Sequence, residues 1–139
     1  MRLLVLPHIL LTLPCQGALV AYWNFNDLTI ASADTPGSGS VPSSIFATQG
    51  SGSLSLVSWS GTVDDFAGSS INTLDSDPAG ESLSLIAGSG MAGNGSNITL
   101  EFSLTGMVDP VLSFSTQSTA TGFNSVQLAW SVNGVDFYN

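Results

Sequence analysis

Apolar residues alternate one-for-one with polar ones along most of this chain, and almost nowhere do they recur at the three-to-four spacing of a helix. Ile98, Leu100, Phe102 and Leu104 alternate with Thr99, Glu101 and Ser103. On an extended backbone successive side chains point to opposite faces, so this pattern describes a strand with one apolar and one polar face. Leu19, Ala21, Trp23 and Phe25 share one face of an expected first strand. Leu54 and Leu56 mark a second strand over 53–59, and Leu83 and Leu85 a third over 82–87. Leu112 and Phe114, then Val126, Leu128, Trp130 and Val132, repeat the pattern, with each apolar set expected to be buried. Asn133-Gly134 leads into Val135 and Phe137. Both turn residues tolerate the positive φ of a type I′ hairpin, so a tight hairpin is expected there.

Between these runs lie segments rich in Ser, Gly and Pro. Residues 31–44 read as a loop, and 61–77 as mixed, with Val63, Phe66, Ile71 and Leu74 covering a sheet edge while the acids stay solvated. Many short strands with glycine-rich turns and no helix predict an all-β, antiparallel, jelly-roll-like β-sandwich. The return strand after Gly134 is short, so the sandwich is expected to be incomplete at its C-terminal end. Such turn-rich chains are sometimes disordered, but disorder goes with low hydrophobicity and few aromatics. Here the mean hydropathy is +0.36 and twelve aromatic residues run from Tyr22 to Tyr138, so a folded chain is expected.

Residues 1–17 read as a secretory signal peptide. Arg2 supplies the positive start, 3–13 the apolar stretch, and Cys15 and Gly17 the small residues of a cleavage site before Ala18. The apolar run is too short for a membrane span, which needs about twenty residues. Pro14 stands where a lipoprotein signal has a small residue, so ordinary cleavage is expected over acylation of Cys15. A single domain over 18–139 is then left, exported to the cell surface or beyond.

Cleavage removes the only Arg, His and Cys, and there is no Lys. Ten carboxylates remain, all from Asp27 to Asp136, at a formal charge of −10. With no cation to neutralise phosphates, nucleic acid and anionic membranes are disfavoured partners. Histidine- or cysteine-dependent nucleophilic catalysis, thiolate or imidazole zinc, and Schiff-base chemistry lack their residues. No catalytic residue is assigned and no cofactor is expected. Asp64 and Asp65 are adjacent, so on a strand they point apart, whereas a glycosidase needs two carboxyls facing each other.

Two ligand candidates remain. Asp75, Asp77 and Glu81 bring three carboxylates to a glycine-bearing turn, hard oxygen donors of the kind calcium takes, though the spacing is not that of an EF-hand. The same residues are also ordinary turn formers. Trp59, at a strand end beside Gly61, is the tryptophan expected to be exposed and able to stack on a sugar, while Trp23 and Trp130 fall on core faces.

ALVAYWNFND at 18–27, VDDFAG at 63–68, DPAGESLSL at 77–85 and LSFSTQSTATGFNSVQLAWSVNGVDF at 112–137 resemble the N-terminal sandwich domain of bacterial secreted proteins of the PEP-CTERM sorting type. Some of those carry lamin-tail or extracellular nuclease domains downstream. The resemblance implies an exported surface module with no assigned activity. The chain carries no Pro-Glu-Pro motif, transmembrane helix or basic tail, so it departs from that sorting signal. The function expected is a non-enzymatic structural or interaction module whose partners are extracellular glycans or surface and matrix components. The alternative is a carbohydrate-binding module or an accessory domain of a secreted hydrolase.

Overall fold

A computed structural model describes residues 17–26, 44–65, 68–74, 77–86, 93–120 and 122–139. The proposed signal peptide up to residue 16, nearly all of the 31–44 loop, Phe66 and Asp75 lie outside these residues.

The described chain is all-β, with seven strands in antiparallel sheets and no helix. In chain order these are β1 (Ala21–Tyr22), β2 (Ile45–Phe46), β3 (Gln49–Gly50), β4 (Ser53–Val57), β5 (Thr62–Asp65), β6 (Leu83–Ile86) and β7 (Asn97–Glu101). They form a β1–β3 pair, a β2–β4–β7 sheet and a β5–β6 pair.

The central sheet is built by the alternation. Ile45 opposes Leu54, and Leu54 opposes Leu100, so one row of apolar side chains crosses three strands. Ile45 and Leu54 are buried. Adjacent cross-strand side chains of this kind are the unit of sheet stabilisation. The opposite face is polar, with Ser53 opposite Glu101 and Ser55 opposite Thr99. Phe46 falls on that polar face, opposite Ser53, and is 77% exposed.

In β5, Val63 opposes Leu85 and is fully buried. Its neighbours Asp64 and Asp65 point to opposite faces, as the strand geometry requires, but both are buried, at 4% and 6% exposure. The expectation that these acids stay solvated is corrected here. β5 is covered on both faces, and the Asp64 carboxylate accepts a hydrogen bond from the Asp65 amide at 3.0 Å.

The C-terminal third departs furthest from expectation. Residues 112–116 form no strand, and Leu112 and Phe114 are exposed. The intervening serines, exposed as well, make the contacts there: Ser113 Oγ donates to Asn72 Oδ1, and Ser115 Oγ donates to the Ile71 carbonyl at 3.1 Å. Both faces of this run are exposed, so its alternation marks no buried side. Along 126–132, Val126, Leu128 and Val132 are exposed as well. Trp130, expected in the core, is 60% exposed and packs against Tyr138 at 5.1 Å between ring centroids.

The expected hairpin is replaced by a wider closure. Trp130 and Tyr138 exchange both backbone hydrogen bonds at 2.9 Å across a seven-residue loop, 131–137. Gly134 takes a positive φ of 72°, but Asn133 does not, so the turn is not type I′. Asn133 acts through its side chain, its Oδ1 accepting from the Val135 and Asp136 amides at 2.9 Å each. An Asx-type turn of this kind competes with the tight hairpin for the same residue.

Candidate functional site

An open cleft of about 340 Å³ lies where the strand-exit segment 23–25 meets the 44–48 segment. Trp23, Phe25 and Phe46 supply three aromatic side chains, and Asn24, Ser44 and Thr48 supply amide and hydroxyl groups. No lining residue among those described carries an ionisable side chain.

The β1–β3 pairing sets the cleft. Tyr22 opposes Gln49, and the Thr48 amide donates to the Tyr22 carbonyl at 2.7 Å, so the chain beyond β1 is brought against the chain before β3. Gly50 holds this corner at φ +77°, with the Val20 carbonyl so close that any Cβ there would collide with it. Glycine alone meets both demands without strain.

Trp23 is fixed at two points. Its Nε1 donates to the Ile45 carbonyl at 3.1 Å, and its ring edge rests where Gly52 leaves room, since a Cβ on Gly52 would stand 3.1 Å from Trp23 Cη2. Asn24 is fixed by four bonds. Its amide N–H reaches Thr48 Oγ1 at 3.3 Å, and the same hydroxyl donates back to Asn24 Oδ1 at 3.0 Å. The Asn26 amide also donates to Asn24 Oδ1, at 3.1 Å, and Asn24 Nδ2 donates to Asp77 Oδ2 at 3.1 Å. Phe25 lies between these two asparagines with φ at +61°, in the left-handed region that a bulky residue rarely occupies. Strain of this kind costs on the order of 1–3 kcal/mol and collects at binding sites.

The carboxylate turn is stitched to the same segment. Asp77 is half-buried beneath Asn24, and the Glu81 amide donates to Asn26 Oδ1 at 3.0 Å. Gly80 allows this approach, because a Cβ there would overlap the Asn26 side chain. Of the calcium candidates, Asp77 is thus engaged by an amide, Glu81 is exposed, and Asp75 lies outside the described residues. Among the described residues no three His, Cys, Asp or Glu side chains gather in a way that suits a metal ion.

Trp59 is not the open platform expected. It is half-buried, its Nε1 donates to the Thr62 carbonyl at 3.1 Å, and its ring meets Phe123 at 5.9 Å between centroids. It does not line the cleft. The aromatic residues that line it are Trp23, Phe25 and Phe46. Sequence alternation assigned Trp23 to the core and gave Phe46 no role, because the two become neighbours only through the β1–β3 pairing. The Asn24-Phe25-Asn26 run was the available signal: two amides flanking an aromatic at a strand end are turn residues with hydrogen-bonding groups to place.

No family model matches the chain, and neither does any curated protein or solved structure. Among the described residues no helix is long and apolar enough to cross a membrane.

Proposed function

We propose that this chain is an exported, non-enzymatic interaction module of a bacterial cell surface, built on a jelly-roll-like β-sandwich. The observation that carries the proposal is the make-up of the cleft. Its described lining offers rings, amides and hydroxyls, which bind and orient, and among those residues no acid or base, which proton transfer would require. The buried acids Asp64 and Asp65 sit on opposite faces of β5 and do not line the cleft, an arrangement unsuited to paired-carboxylate hydrolysis. Exposed apolar residues from Val108 to Phe137 add surface of the kind that partners cover. The sequence resemblance to PEP-CTERM-type surface proteins and the N-terminal leader pattern support export.

Export is tested at the new N-terminus. Mass spectrometry of protein recovered outside the cytoplasm is expected to find the chain beginning at Ala18 or beside it. Exported protein retaining Met1 would contradict the leader assignment.

A second reading, a carbohydrate-binding module standing alone or beside a hydrolase, is favoured by one feature. Three aromatic side chains and three neutral hydrogen-bonding residues share one open cleft.

A further inference from the structure

We propose that the cleft between Trp23 and Phe46 binds a ring of a neutral polysaccharide, a site that rests on the carbohydrate-binding reading and gives it a location and a ligand class. An aromatic face carries negative charge density, and the C–H-bearing face of a pyranose is weakly positive, so the two stack. Such stacking is tighter on a ring held in place before the ligand arrives, because ordering it on binding costs affinity. Trp23 meets that condition through its bond to the Ile45 carbonyl and its seat over Gly52.

Phe46 is the second ring. It stands on the polar face of the central sheet, opposite Ser53, and packs into no core. In the same cleft, Asn24 and Thr48 are oriented by their mutual hydrogen bonds and keep capacity for a ligand. Asn24 Nδ2 uses one of its two protons on Asp77, and Thr48 Oγ1 uses one of its two acceptor positions on the Asn24 amide. One donor and one acceptor side by side suit the paired hydroxyls of a sugar.

Charge selects the class. After Gly17 every ionised side chain is a carboxylate, so the field repels uronate or sulfate groups, and the cleft lining offers no cation to hold them. The volume lies at the small end of ligand sites, matching one or two sugar rings rather than a folded partner.

The test is calorimetric titration of the exported chain with hexasaccharides of glucose, mannose, xylose and N-acetylglucosamine, and with polygalacturonate. At least one neutral hexasaccharide is expected to bind, and polygalacturonate is not. Phe46→Ala is expected to weaken that binding at least about tenfold while leaving the melting temperature nearly unchanged, since the side chain is exposed. Thr48→Val is expected to weaken it less. Binding that survives Phe46→Ala but is lost in Trp59→Ala would overturn the cleft assignment and leave the carbohydrate reading standing. Preference for polygalacturonate would overturn the neutral class. No binding to any of these sugars would overturn both the site and the reading beneath it.

Discussion

Leu54→Ala is expected to lower the unfolding free energy by about 2–5 kcal/mol, the usual cost of emptying a buried leucine site. Leu54 is the middle of the row that joins β2 to β7, opposing Ile45 on one side and Leu100 on the other. A cavity there removes contacts from both neighbours at once. The described core is small, with Ile45, Leu54 and Val63 its buried hydrophobic residues, so little else nearby can close over the gap. Against a domain stability of about 5–15 kcal/mol, such a loss leaves the variant near its unfolding threshold. The midpoint of urea denaturation measures it. A shift equivalent to less than about 1 kcal/mol would place the main apolar contacts elsewhere.

Gly50→Ala is expected to be comparably damaging, by a different route. The left-handed backbone alone costs an L-residue about 1–2 kcal/mol. The added Cβ would also meet the Val20 carbonyl, which accepts the Ser51 amide at 2.9 Å in the present arrangement. Relieving that collision means opening the β1–β3 pairing, and with it the corner that brings Trp23 to Thr48. The variant is therefore expected to lose thermal stability and ligand binding together. By contrast, Phe46→Ala loses binding alone. Full stability in Gly50→Ala would show that β1 and β3 do not pair as described.

Strands were legible where both neighbours of a residue agreed on its environment. β4 and β6 fall within the runs that alternation marked and β7 overlaps one, because Leu54, Leu85 and Leu100 face apolar partners across their ladders. β2 and β3 were not legible, since two residues are too few to show a period and their pairing is decided by distant segments. The 112–116 run failed for an instructive reason. Its pattern is as regular as that of β7, but a strand needs a backbone partner, and Ser113 and Ser115 found hydrogen bonds in the 71–72 turn instead. Trp59 is half-buried where a glycine-flanked strand end suggests exposure, and its ring meets Phe123, a contact more than sixty positions away that no local pattern signals. The cleft joins two segments about twenty residues apart through glycine geometry, which no local pattern encodes.

Turnover is the most direct test of the claim that this module binds without catalysing. The exported chain, incubated at neutral pH with polysaccharide, ester, peptide and nucleic-acid substrates, is expected to release no product from any of them, including any sugar that it binds. Product formation that disappears in Asp64→Asn, Asp65→Asn or Asp77→Asn would contradict that claim, because it would place a working carboxylate in a chain whose described cleft lining offers none.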